Sequence, residues 1–326
     1  MKKIVIWYTG NRCAMWHKWL MNYFNVVCFV QADSSVASIK EKPVIEPNQV
    51  KTFEYDAIVV VTNNKESDSL KKASECSGYP EKVYWLDDFL SLEGLDGRYQ
   101  QDYYEMQISI IKDILNASDD QITDFDWMYS KVISYGIFCF EENWMEQDSS
   151  INWSFCGMQQ IPEEFAEYCI KLSDVKVKNA IDIGVYRGRT SFFICAVLMR
   201  NNPEMTYLLV DIDDKLDHYE EYAGLLPSLR KSIPSTSKDY LGTSFDYVFI
   251  DADHSYDASI SDYENVGKNA KVIVAFHDIY AHEYDGENGG TVRMWREVME
   301  REQGNKIFTF SKYPDRWMGI GAVIKK

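Results

Sequence analysis

Basic residues are scarce in this chain. Of its 326 residues, 34 are Lys or Arg and 51 are Asp or Glu, a formal net charge of −17. A nucleic-acid backbone needs a basic face to bind it, and so does an anionic lipid surface, so neither partner is expected. Long apolar runs are also missing. No stretch nears the roughly 20 residues that a spanning helix requires, which excludes membrane insertion through such a helix. Cysteines stand alone at 13, 28, 76, 139, 156, 169 and 195, an odd number with no C-x-x-C pair. That spacing argues against a disulfide framework or a structural zinc site and reads as reduced, buried thiols in a cytoplasmic protein. The start, Met1-Lys2-Lys3 before Ile4–Trp7, has the basic-then-apolar order of a signal peptide. It stops at Tyr8-Thr9-Gly10 without a small-residue cleavage site, and reads instead as a first β-strand. What the chain does have is 46% hydrophobic and 14% aromatic residues, enough for a sizeable core and against a disordered chain. The length allows two domains.

The pattern along the chain divides it in three. Residues 1–97 alternate apolar strands (Lys3–Trp7, Asn25–Val30, Tyr55–Thr62, Lys82–Leu86) with helical stretches (Cys13–Phe24, Glu66–Cys76), which implies a small α/β unit with a parallel sheet. Residues 98–150 read as a helical acidic connector, its charge run a solvated face rather than a metal site. Residues 151–326 form a larger α/β unit. Ile161-Pro162-Glu163-Glu164 opens a helix with Pro in the first turn and acids at the positive end of the dipole. Strands are expected at Asn179–Ile183, Tyr207–Val210, Phe245–Ile250 and Lys271–Phe276, with an antiparallel hairpin, Ile307–Phe310 and Ile320–Ile324, at the sheet edge.

The most informative segment joins the first of these strands to a helix: Asp182-Ile183-Gly184-Val185-Tyr186-Arg187-Gly188. Gly184 lets the backbone turn and approach a ligand without a β-carbon in the way. Gly188 stands where the helix begins, so its N–H can meet a polar ligand. The acid two residues before Gly184 does not welcome a pyrophosphate but can accept from a cationic amino-acid ligand. The segment resembles motif I of the class I S-adenosylmethionine-dependent methyltransferases, D/E-x-G-x-x-x-G. In that family an acid at the end of the second strand binds the two ribose hydroxyls. The resemblance assigns this to Asp211, with Asp213 as runner-up or as a turn residue, and sets Ser237 in the loop facing the adenine.

A second block delivers chemistry at a strand end. Phe245–Ile250 leads into Asp251-Ala252-Asp253-His254-Ser255-Tyr256, and Val272–Phe276 leads into His277-Asp278. Neighbouring parallel strands would bring Asp251, His254, His277 and Asp278 into one pocket, where open α/β sheets bind ligands. This block, with the tail Gly290–Trp295 and Gly319–Ile324, resembles a bacterial O-methyltransferase branch seen in natural-product and surface-polysaccharide methylation. A cousin group, the catechol and caffeoyl-CoA type, has D-x-D-K and D-N at these places. Its first and last acids and its Asn hold a divalent cation, and its Lys assists deprotonation. Carried over, Asp251 and Asp278 are metal positions for Mg²⁺ or Mn²⁺ and His254 takes the Lys position. His277 replaces an acid, and a His favours ions softer than Mg²⁺.

The first unit resembles the small Rossmann-like domain of some sugar-modifying bacterial enzymes. It has Tyr8 and Cys13 where that domain's flanking glycines stand, so a dinucleotide pyrophosphate could not approach. The resemblances together imply methyl transfer from S-adenosyl-L-methionine to an oxygen of a small-molecule or glycan acceptor, a sugar hydroxyl of a nucleotide-sugar or surface-polysaccharide precursor. Asp182, Gly184, Gly188, Asp211, Asp213 and Ser237 would hold the cofactor. His254 is the expected base because its pKa suits neutral pH, with His277 and Asp251 as competitors. A scaffold protein with a methyltransferase fold and an NAD-dependent oxidoreductase are the rival readings. A homo-oligomer is left open.

Overall fold

The computed structural model describes residues 1–7, 10–32, 37–62, 65, 67–137 and 157–326. Its fold is α/β in two compact units, residues 1–107 with 133–159 and residues 108–132 with 160–326. The first unit holds β1 (Lys3–Trp7), α1 (Gly10–Tyr23), β2 (Asn25–Val30), β3 (Ser38–Ile39), β4 (Lys42–Ile45), β5 (Ala57–Val60), α2 (Asp68–Ser77), β6 (Val83–Trp85) and α3 (Leu86–Leu92). Its six strands run in the order β3-β4-β2-β1-β5-β6. All neighbours are parallel except β3 and β4. Ile4 and Ile6 pack on one face with Trp16 and Phe89, while Val5 and Trp7 pack on the other with Ile58 and Val60. Both faces are covered, which is why these strands read as unbroken apolar runs.

The stretch expected as a connector is helical where described: α4 (Asp96–Leu115), α5 (Asp119–Thr123) and α6 (Phe125–Tyr135). It is shared between the two units rather than separate from them. Residues 138–150 lie outside the described residues, as do Tyr8, Cys139 and Cys156 and the side chain of Cys13. The other cysteines, Cys28, Cys76, Cys169 and Cys195, are free thiols.

The second unit continues with α7 (Pro162–Leu172), β7 (Asn179–Ile183), α8 (Arg189–Asn201), β8 (Thr206–Val210), α9 (Tyr219–Leu225), β9 (Leu229–Ser232), β10 (Tyr247–Ile250), α10 (Tyr256–Asn265), β11 (Ile273–Phe276), α11 (Gly290–Arg301), β12 (Lys306–Phe310) and β13 (Ile320–Ile324). The seven strands run β12-β13-β11-β10-β7-β8-β9. Only β13 is antiparallel to its neighbours, β11 and β12. The antiparallel hairpin expected at the sheet edge is there, with β12 as the edge strand and β13 joining it to β11. β13 lies between β11 and β12 because Ile320–Val323 is buried, while β12 presents the exposed Lys306 and Thr309. The order reverses between β7 and β10, the switch point at which open sheets of this kind take ligands.

Candidate active site

Four strands end flush at this switch point. The Gly184 N–H donates to Val210 O, the Asp251 N–H to Ile183 O and the His277 N–H to Ile250 O, at 2.9, 2.9 and 3.1 Å. The loops after β8, β7, β10 and β11 are thus stepped side by side. Gly184 has φ +86°, and a Cβ built on it would stand 2.2 Å from Asp251 O and 2.5 Å from Ala252 Cα. Its lack of a side chain lets the loop after β7 touch the strand end that carries Asp251. Gly188, with φ +80°, caps α8, and a Cβ there would meet Phe192 Cζ at 2.5 Å.

Asp211 ends β8 half-buried, its carboxylate held by two amides: Tyr186 N–H to Oδ2 at 2.8 Å and Asp213 N–H to Oδ1 at 3.2 Å. Each oxygen keeps a further lone pair for a hydroxyl donor. The other expected cofactor residues lie differently. Asp182 is buried, 1% exposed, and accepts from Tyr207 Oη at 2.9 Å and from Ser191. Burial pushes its carboxyl up to about 7 against the help of these two hydroxyls. Asp213 is exposed and pairs with Lys215 at 3.2 Å. Ser237 is buried, donates to Asp262 at 2.5 Å and accepts from Asn265 at 2.9 Å, so it anchors its loop to α10.

Asp251, His254, His277 and Asp278 come together as expected from adjacent strand ends. His277 Nδ1 lies 3.3 Å from both Asp251 Oδ1 and Asp278 Oδ2. His254 Nε2 lies 2.9 Å from Asp278 Oδ2 and 3.8 Å from Asp251 Oδ1. Burial opposes a charged imidazole, but the two carboxylates outweigh it and push His254 up to about 11; they raise His277 well above its ordinary value too. Burial also works against both carboxylates. The imidazolium groups reverse this and hold Asp251 below, and Asp278 far below, the usual carboxylate range. The two carboxylates thus favour the protonated form of both imidazoles, and the imidazoles favour the ionised form of both carboxyls. His277 is 3% exposed, whereas the His254 side chain is 23% exposed and its ring lies tilted by 41° against Tyr284, centroids 4.7 Å apart. His254 is the less buried imidazole of the two.

The rest of the D-x-D-H-S-Y run builds the turn. Asp253 accepts from the Ser255 N–H at 2.8 Å, Ser255 caps α10, and Tyr256 donates to Glu297 at 2.5 Å. Asp278 has φ +57°, a left-handed conformation that a non-glycine residue seldom adopts, and Thr291 Oγ1 donates to its carbonyl at 2.5 Å. For a divalent cation, Asp251, His254 and Asp278 each offer one ligand atom, all within 4.8 Å of one another. Two carboxylate oxygens and one imidazole nitrogen suit Mn²⁺ or a softer ion better than Mg²⁺.

The sequence assigned no role at the site to Glu164, Tyr284 or Thr291. Glu164 had a signal: it shares the apolar face of its helix with Phe165, Tyr168 and Leu172, and all four are buried.

Residues 181–279 match a sequence family described as "Methyltransferase domain", and residues 1–83 match one described as "C2185-like, N-terminal". No curated protein matches the chain. Solved structures similar to it include an O-methyltransferase from Bacillus cereus in complex with SAH (14% identity, 51% of this chain and 82% of that one, TM-score 0.40). Others are the O-methyltransferase TomG from Streptomyces achromogenes in complex with SAM (12%, 61% and 90%, 0.42) and SAH-bound methyltransferase PaMTH1 from Podospora anserina (10%, 57% and 86%, 0.41). The strand order with one antiparallel strand makes the second unit a Rossmann-like α/β fold, and the stretch from β7 to β11 is the part that matches the methyltransferase family. Among the described residues no helix is long and apolar enough to cross a membrane.

Proposed function

We propose that the chain is an S-adenosylmethionine-dependent O-methyltransferase acting on a sugar hydroxyl of a nucleotide-sugar or surface-polysaccharide precursor. One observation carries the reaction class: the Gly184 loop abuts the backbone of Asp251, so a sulfonium held by that loop would lie beside the acid–imidazole cluster. Methyl transfer asks for that juxtaposition, with the methyl donor in line with an oxygen and a proton acceptor nearby. Asp211 would take the ribose hydroxyls, and the glycine turns would let backbone N–H groups meet the methionine end. The buried Asp182 would support the loop from below, through Ser191 and Tyr207.

His254 is the proposed base because it is the less buried imidazole of the pair, with His277 and Asp251 as the competitors. Its charge sets a condition: one of the facing carboxylates must be neutralised before it can accept a proton. A divalent cation on Asp251 and Asp278 would supply that neutralisation. The sugar acceptor is supported by the D-x-D-H-S-Y and H-D resemblance and by the companion first unit. The test is incubation of the full chain with methyl-labelled S-adenosylmethionine, Mn²⁺ and a panel of sugar nucleotides and glycan precursors. Label transferred to a sugar oxygen supports the reading. Label transferred only to aromatic hydroxyls would keep the reaction and overturn the acceptor.

A further inference from the structure

Glu164 is 3% exposed, yet among the described residues no cation is bonded to its carboxylate. Its bonds are to two backbone amides: Lys312 N–H to Oε1 at 2.6 Å and Gly319 N–H to Oε2 at 3.1 Å. These amides stand at the two ends of the connection between β12 and β13. Burying a carboxylate is costly, and two neutral amides answer only part of that cost. Burial holds its pKa up at about 7, the amides and the charge of His277 pull it down, and the charge of Asp278 pushes it up. Glu164 is therefore within electrostatic reach of the acid–imidazole cluster.

A chain of backbone bonds leads from it to the same place. Gly319 O accepts from Ile279 N–H at 3.3 Å, and Met318 O accepts from Tyr280 N–H at 2.9 Å. Met318 and Gly319 both have positive φ, as does Asp278. A Cβ on Gly319 would meet Tyr280 Cδ2 at 2.9 Å and Ile279 Cγ1 at 3.0 Å, so the two segments are in close contact. The left-handed backbone at Asp278 is thus held on one side by Thr291 and on the other by the 318–319 turn that Glu164 grips.

We propose that Glu164 is a positioning residue: by clamping Lys312 and Gly319 it fixes the turn that sets Asp278 against His254 and His277. The proposal rests on the methyltransferase reading for its consequence, but not for its geometry. Only a carboxylate can accept from both amides; a glutamine must turn its NH₂ toward one of them.

The experiment compares the full chain with Glu164→Gln and Glu164→Asp. ¹³C-histidine spectra at fixed pH read the cluster directly, and titration with S-adenosylhomocysteine reads the cofactor half. In Glu164→Gln the His254 and His277 signals should move, while His17 and His218 stay in place and S-adenosylhomocysteine affinity is retained. Turnover on the acceptor that the labelling experiment identifies should fall by about 10²-fold, the scale of a small misplacement of reacting groups, with KM for S-adenosylmethionine unchanged. Glu164→Asp keeps the charge on a shorter arm and should recover part of the loss; it also serves if Glu164→Gln does not fold. Unmoved His254 and His277 signals in a folded variant would overturn the proposal. So would shifts spread over all the histidines, which would mark a general loosening. A wild-type chain that binds no S-adenosylhomocysteine would sink the methyltransferase reading instead and leave the histidine comparison to judge Glu164.

Discussion

Replacing Gly184 by alanine strains the contact on which the site is built. The position has φ +86°, where an L side chain costs about 1–2 kcal/mol. The new Cβ would also stand 2.2 Å from Asp251 O and 2.5 Å from Ala252 Cα, backbone atoms that cannot swing away. Overpacking of that kind costs about 1–3 kcal/mol. Gly184→Ala should therefore lose about 2–5 kcal/mol of stability in the second unit, the sum of these two penalties. Urea denaturation followed by a probe in that unit measures it, with Gly286→Ala as control. Nothing lies within 4 Å of a Cβ at Gly286, so that change should fall within about 0.5 kcal/mol of wild type or stabilise slightly. A Gly184→Ala variant as stable as the Gly286→Ala control would refute the claim that the loop after β7 is pressed against the end of β10.

Four further outcomes follow from the same geometry. His254→Ala should lower turnover by at least about 10²-fold while S-adenosylmethionine binding is kept, as rapid-quench and binding assays would show; near-normal turnover with a dead His277→Ala or Asp251→Asn would move the base to that residue. Asp211→Ala should weaken S-adenosylhomocysteine by about 10-fold or more in calorimetric titration, since a hydrogen bond to a charged group contributes about 1.5–3 kcal/mol; unchanged affinity would remove Asp211 from the ribose site. The folded chain raises the Asp182 pKa, mainly by burial, to about 7. The native state therefore holds this proton more tightly than the unfolded chain, and stability from this group is full below about pH 4 and is lost as pH rises to about 7. Asp182→Asn should flatten that part of the stability–pH curve, and a curve of unchanged slope would contradict it. Asp278→Asn should abolish Mn²⁺ binding measured by electron paramagnetic resonance if Asp251 and Asp278 hold the cation; retained binding would place any ion elsewhere.

The strands with buried, β-branched runs were legible from sequence: β1, β2, β5, β7, β8, β10 and β11 all fall where apolar stretches end in turn residues. β9 was not, because only Leu229 of Leu229–Ser232 is buried and Arg230 and Lys231 face solvent at the sheet edge. The antiparallel hairpin at the sheet edge was legible, but its pairing with β11 was not, because a hairpin pattern fixes which strands pair but not what pairs on the far side. At the site, the meeting of Asp251, His254, His277 and Asp278 followed from adjacent parallel strands, a local rule. What could not be read was the charge state, which depends on 2.9–3.8 Å contacts among four side chains. Nor could the sequence reveal that Asp182 faces Tyr207, or that Glu164 reaches amides 148 and 155 residues away. Those partners are set by tertiary packing, and no spacing rule spans them.

The most direct test of the account is calorimetric titration of the full chain with S-adenosylhomocysteine, run beside a thermal-shift screen against NAD. Binding to the native state raises the melting temperature, and only a ligand the fold accepts will do so. The account predicts one site for S-adenosylhomocysteine, a raised melting temperature with it, and none with NAD. No heat of binding at high micromolar protein, or stabilisation by NAD alone, would contradict it.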